Sequence, residues 1–347
     1  MQLSFARALR LCLFPLMIVT AVAAAAPPEG GYHLVKKVIL GGDGGWDYLK
    51  VDPDGRRLYI SRGTHVMVLD ADTYAVVGDI PDTQGVHGIA IAADLGRGFT
   101  SNGRSNTVTI FDLKTLQVLG TPATDTGPDA IVYDPFSKRV FTFNGRGGST
   151  TAIDAATGNV VGTLKLDGQP EFAVADGKGH IYNNLEDKSI VVEIDTQALK
   201  VTQRWPLAPG DGPSGIAMDT QHRRLFSGCH NKMMVVMDAD SGKVIATPPI
   251  GEGVDANGFD PGTGNAFSSN GRAATLTVVH EDSPDKFTVV QDVPTQAGAR
   301  TMALDEKTHN VFLVTAEFEP PPAGTQTTER RRPTMKPGTF TLLVVGQ

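Results

Sequence analysis

The sequence predicts an all-β protein, a seven-bladed β-propeller with four-stranded blades, and three observations predict it. Aspartates close a recurring unit at Asp70, Asp112, Asp154, Asp195 and Asp238, spaced 42, 42, 41 and 43 residues apart, and His280 takes the sixth place 42 residues on. Seven glycines lead these units: Gly45, Gly85, Gly127, Gly168, Gly212, Gly253 and Gly298. Each unit carries four short apolar segments separated by Pro, Gly, Asn and Asp, in a chain with 39 Gly and 22 Pro. A repeat of about 40–45 residues holding four strands is the pattern of a propeller blade.

In the first unit Tyr48 to Val51 reads as the inner strand, Asp52-Pro53-Asp54-Gly55 as a turn, and Leu58 to Ser61 as the second strand. His65 to Asp70 is the third strand and Ala75 to Ile80 the outer one. Pro and Gly sit where φ is fixed or positive, as tight turns require. The last unit has segments near Thr301 to Leu304, Asn310 to Thr315 and Thr339 to Val345, and then the chain stops without a fourth. The segment Tyr32 to Leu40 precedes the first leading glycine and has no blade of its own. The two facts together predict that the N-terminal strand completes the last blade and removes the exposed edges. A stretch rich in Pro and Arg, Glu319 to Gly338, interrupts that blade between its second and third strands and reads as an inserted loop.

Residues 1–25 differ in kind. Arg7 and Arg10 precede an apolar run from Leu11 to Val22 that ends in a row of alanines. That order is the pattern of a secretory signal peptide, with cleavage expected after Ala25, leaving 26–347 as one domain and a periplasmic or secreted protein. Loss of the two arginines takes the formal charge from −7 to −9, which argues against nucleic acid as a partner. Cys12 leaves with the leader and Cys229 remains alone, so no intrachain disulfide is expected and a monomer must hold together by packing.

The second strands carry a further signature. Phe141-Thr142-Phe143-Asn144, Phe99-Thr100-Ser101-Asn102 and Phe267-Ser268-Ser269-Asn270 stand at one place in three units, and Asp134-Pro135 and Asp260-Pro261 form matching turns. With these motifs the chain resembles the YVTN-type repeat propellers of the bacterial YncE-like family over essentially all of 26–347. The first and fourth copies depart from the pattern, with Tyr59-Ile60-Ser61-Arg62 and Tyr182-Asn183-Asn184-Leu185. The resemblance implies a propeller; such propellers are similar to lactonases, to quinoprotein and amine-dehydrogenase subunits, and to proteins without catalysis, so function must be sought in the site.

Chemistry is expected where the inner strands begin, because those ends meet at the mouth of the central channel. Counting back five residues from the turn after each inner strand gives Asp47, His87, Asp129, Glu171, Ser214, Asp255 and Arg300. Six of these seven are ionisable and four are carboxylates, far more than strand ends require. The hairpin after the second strand repeats Asn102-Gly103-Arg104, Asn144-Gly145-Arg146 and Asn270-Gly271-Arg272, aligned with Glu186-Asp187, His230-Asn231 and Glu317. Asn-Gly by itself makes a tight turn; the arginines add a second tier of charge to the rim.

Four converging carboxylates repel unless a cation neutralises them or a pKa rises. One reading is therefore a mouth that binds a small molecule or a protein partner through these side chains. Another is a divalent metal such as Ca or Zn on Glu171, Asp129, Asp255 and His87, activating water for lactone or ester hydrolysis. A third is an accessory subunit of a periplasmic redox enzyme docking through the Pro/Arg loop. Cys229-His230 with Met233, Met234 and Met237 suggests a soft-metal site, but these methionines fall on a third strand, where core packing accounts for them. No Ser-His-Asp pattern, phosphate-cradling glycine loop or haem-attachment motif is present.

Overall fold

The computed structural model describes residues 30–42, 44–320 and 334–347. Seven antiparallel sheets of four strands stand in a ring, and six of them are formed by consecutive strands. The inner strands begin at Leu49, Val86, Pro128, Pro170, Pro213, Val254 and Met302. The expected signal peptide and the middle of the inserted loop, 321–333, lie outside the described residues. Within the described residues no helix is long and apolar enough to cross a membrane.

The seventh sheet is closed as the sequence predicts. His33–Ile39 pairs antiparallel with Thr341–Gly346, from His33 against Gly346 to Ile39 against Thr341. The third strand of this blade thus starts two residues later than expected. Ring closure is reinforced between blades 7 and 1 by ion pairs: Arg56 to Asp305 at 2.8 Å and Arg300 to Asp47 at 3.1 Å.

Two turn devices recur and explain the repeat. At the end of the third strands, Asp70, Asp112, Asp154, Asp195 and Asp238 accept the backbone N–H three residues on, at 2.7, 2.7, 2.7, 2.8 and 2.9 Å. These bonds satisfy the carboxylate and hold all five pKa values below the usual Asp range. At the end of the inner strands a second Asp does the same on the lower face; Asp134, for example, is wholly buried and accepts Ser137 N–H at 3.0 Å.

The Asn-Gly pairs are not the tight turns their composition suggests. Asn102, Asn144 and Asn270 are buried, and each amide reaches across to a threonine of the third strand: Thr109 at 2.8 Å, Thr151 at 3.1 Å and Thr277 at 2.8 Å. The left-handed backbone falls later in the hairpin, at Asn106, Gly148 and Ala274. The glycine after Asn serves close approach instead. A Cβ on Gly103 would meet the His87 ring at 2.8 Å, and one on Gly271 would meet Arg300 Cβ at 2.6 Å.

Between blades the core is built from the second and third strands, where Phe99, Phe141, Phe226, Phe267 and Phe312 are fully buried. Cys229 and Met237 are packed in one such cluster with Tyr182 and Leu225, with Met233 against it, and Met234 is packed in the next with Phe226, which bears out the packing account of the Cys/Met segment. Burial pushes the Cys229 thiol up to about 12. Outer strands keep exposed apolar residues such as Val118. Phe312→Ala is expected to cost about 3–5 kcal/mol through lost burial and a cavity, read as a lower urea midpoint. Val118→Ala, by contrast, should stay within about 0.5 kcal/mol of the parent.

Candidate functional site: an acidic throat at the channel mouth

Each inner strand starts beside the channel axis, so the seven aligned positions face one another. Asp47, His87, Asp129, Glu171, Asp255 and Arg300 line a single cavity of 850 Å³, together with His230, Trp46, Tyr48, Phe318 and Met335. Tyr48 of blade 1 meets Phe172 of blade 4 across the channel, ring centroids 4.2 Å apart, and this pair floors the cavity. Ser214 completes the ring by donating its hydroxyl to Asp255 at 3.0 Å.

Two positively disposed groups are threaded between the carboxylates. The Arg300 guanidinium spans Asp47 and Asp255, each at 3.1 Å. His87 Nδ1 lies 2.6 Å from Asp47 and 3.6 Å from Asp129. The Tyr48 hydroxyl hydrogen-bonds Asp129. Asp47 is thus the hub, held by Arg300 on one side and His87 on the other, with Thr301 donating to its carbonyl at 2.6 Å.

The repulsion foreseen from the sequence is relieved in both of the ways open to it. Arg300 neutralises part of the charge. Where neutralisation runs out, the pKa rises: burial, opposed by His87 and helped by Asp47, pushes Asp129 up to about 6. Burial, then the charges of Asp129, Glu186, Asp255 and Asp47, pushes Glu171 up to about 9. Burial also raises Asp255 and, with the surrounding acids, Tyr48. At neutral pH Glu171 therefore keeps its proton, while the one guanidinium of the throat is shared between Asp47 and Asp255.

The rim residues separate by role. Arg104 and Arg146 line a neighbouring depression of 580 Å³ over blades 1 to 4, and Arg146 donates to the Gly103 carbonyl at 2.7 Å. Arg272 instead turns outward to Glu252 at 2.7 Å. His230 reaches Glu186 at 3.3 Å, closing the rim between blades 4 and 5. Glu317 pairs with Lys336 at 3.2 Å across the base of the inserted loop, where Phe318 and Met335 also bridge. The loop base is thus a wall of the cavity, and Phe318 lies 6.1 Å from the Trp46 ring.

The side chains placed to share a cation differ from the expected quartet. Asp47, His87 and Asp129 offer donor atoms within 4.8 Å of one another, whereas Glu171 and Asp255 stand outside this group. Asp255 is drawn to Arg300 and Ser214. The apolar lining was the other feature the residue pattern did not single out: Tyr48, Phe318 and Met335 sit in apolar or irregular segments that resemble ordinary core.

No family model matches the chain, and no curated protein matches it. Solved structures do. The chain is similar to a chain of Kuenenia stuttgartiensis hydrazine synthase, with a TM-score of 0.70 and 16% identity, over 80% of this chain and 94% of that one. It is similar to the WD40 repeats of RRP9, with a TM-score of 0.73 and 10% identity, over 93% and 99%. A chain of the mitotic checkpoint complex matches with a TM-score of 0.71 and 15% identity, over 87% and 96%. At these identities the likeness establishes the seven-bladed propeller, a fold compatible with ligand or partner binding in general.

The raised Glu171 pKa has a consequence for stability. An unfolded Glu ionises near 4.5 while the folded one holds its proton to about 9, so the folded state binds more protons between those values. Its contribution is complete below pH 4.5 and is lost as pH rises through 9. Glu171→Gln should therefore match the parent in stability near pH 5 and exceed it increasingly toward pH 9, read by urea unfolding across that range.

Proposed function

We propose that the protein binds a small molecule bearing a positively charged group in the throat at its channel mouth. The observation that carries this reading is the excess of acidic side chains: Asp47, Asp129 and Asp255 face one guanidinium, already shared between Asp47 and Asp255, in a cavity of 850 Å³ whose lining includes Trp46, Tyr48 and Phe318. A cation entering there gains the carboxylates that Arg300 leaves unneutralised, and the Trp46, Tyr48 and Phe318 rings suit its apolar body and its charge. Arg104 and Arg146 stand above the throat and orient an acidic end of the ligand outward. The resemblance to YVTN-type propellers and the signal-like residues 1–25 support reading it as an exported, YncE-like protein working in the periplasm or outside the cell.

The test is calorimetric titration with a panel of primary and quaternary amines. Binding by the parent, weakened at least tenfold (about 1.4 kcal/mol) in Asp255→Asn, is expected. Selective binding of anions, or unchanged amine affinity in Asp255→Asn, would sink the proposal.

One further observation favours a second reading. The grouping of Asp47, His87 and Asp129 suits a divalent cation beside a protonated Glu171, the arrangement needed for metal-assisted ester or lactone hydrolysis with Glu171 as proton donor. That reading predicts stoichiometric metal in the isolated protein and lactone cleavage abolished in His87→Ala. Metal-free, inactive preparations would remove it.

A further inference from the structure

On the lower face, away from the mouth, one blade breaks the scaffold's own rules. In six blades the residue after the position of the third-strand Asp donates its N–H to the left-handed turn residue of the same blade: Ala71 to Arg56, Leu113 to Gly96, Ala155 to Lys138, Thr196 to Gly179, Ala239 to Arg223 and Glu281, after His280, to Gly264. Ala71, Ala155, Thr196 and Ala239 are buried there, as a small residue in a packed turn should be. Blade 6 places a glutamate at this position, and its side chain is only 4% exposed. Neither carboxylate oxygen of Glu281 has a hydrogen-bond partner of acceptable geometry among the described residues.

The group it faces also lacks a base from the next blade. The inner-strand Asp of several blades pairs with a basic left-handed residue of the next blade: Asp176 with Arg223 at 3.2 Å, Asp260 with His309 at 2.7 Å and Asp305 with Arg56 at 2.8 Å. For Asp219 of blade 5 the corresponding residue in blade 6 is Gly264, so no such base is available. What meets Asp219 is His222 of its own turn, with Nδ1 at 2.7 Å from Asp219 and 2.9 Å from Glu281. One ring nitrogen carries at most one proton, and here it faces two buried carboxylates at contact distance. The Arg224 guanidinium does not resolve this: it is spent on Asp238 at 2.7 Å, Asp285 at 3.2 Å and the carbonyls of Pro284 and His222 at 2.7 and 2.9 Å. Those bonds fasten the turn after Glu281 onto blade 5 and fix the distance between the two carboxylates.

We propose that Asp219, His222 and Glu281 form a binding site for a divalent transition-metal ion of the zinc class, bridging blades 5 and 6. Their donor atoms lie within 4.8 Å of one another. The donors now stand at hydrogen-bond distances of 2.7 and 2.9 Å, and a separation of roughly half an ångström more would seat them as adjacent tetrahedral ligands with bonds of about 2.0–2.2 Å. Two carboxylates and a neutral imidazole neutralise a dication and favour zinc-like ions over calcium. Asp219 is preset for the task, since its oxygens accept the N–H groups of Gln221 and His222 at 2.9 and 3.1 Å. Burial and the charge of Asp219 raise the Glu281 pKa, a strain that a bound dication relieves. The imidazole lies on the exposed turn, which leaves the solvent side of the ion open to water.

Equilibrium dialysis of the full chain against ZnCl₂, with thermal melting in the same buffers, tests the site. Glu281→Ala restores the residue used by other blades, and His222→Ala removes the one ligand that lies on an exposed turn. Each should lose one equivalent of Zn²⁺ that His87→Ala, at the channel mouth, retains, and each should lose the Zn²⁺-induced rise in melting temperature. The proposal is overturned if the parent binds no Zn²⁺, or if both variants keep the parent's stoichiometry and melting shift. Should Glu281→Ala fail to fold, His222→Ala alone decides the matter.

Discussion

Everything in this molecule depends on the pairing of His33–Ile39 with Thr341–Gly346. A propeller blade has two edges, and a row of blades would leave an open sheet edge at its end. The N-terminal strand supplies the fourth strand of blade 7 and ties the two ends of the chain into one ring. It also brings Arg300 of the last blade beside Asp47 of the first, at 3.1 Å. Fold closure and assembly of the throat are one event, because the hub carboxylate and its guanidinium come from opposite ends of the sequence.

The throat then follows from geometry and electrostatics. Seven strand ends directed at one axis bring their first side chains close together whatever those side chains are. Here they are mainly acidic, and the low-dielectric setting makes each added negative charge costly. Arg300 and His87 take up part of the cost at Asp47, Asp255 and Asp129. Glu171, which no basic side chain approaches so closely, keeps its proton instead. Acidic side chains held by Arg300 and His87 beside a protonated Glu171 suit the throat to hold a cation and to donate a hydrogen bond at the same pH.

The repeat, the closure and the ring of mouth residues were legible in the sequence because each occurs at a fixed offset from an aspartate with a local structural role. Asp70 or Asp134 can be recognised from the residues that follow within one turn, and Asp47 or Glu171 is then found by counting. What stayed hidden depends on contacts between blades. Asn102-Gly103 reads as a turn, yet the Asn reaches across to Thr109 and the Gly clears space for His87. Glu171 and Asp255 were grouped with the cation-binding residues because all four carboxylates share one offset; only the ring's geometry separates them from Asp47. Glu281 and His222 belong to different repeats, 59 residues apart in the chain, so no local pattern joins them.

The claim on which the site rests is that Glu171 keeps its proton beside the other throat carboxyls. Carbon-13 NMR of protein labelled at glutamate carboxyls measures it directly, following the Glu171 signal, assigned by its loss in Glu171→Gln, as pH is raised. A titration centred near 9 is the expected result. A titration near the ordinary 4.5 would mean that Glu171 is charged at neutral pH, and would contradict the account of the throat given above.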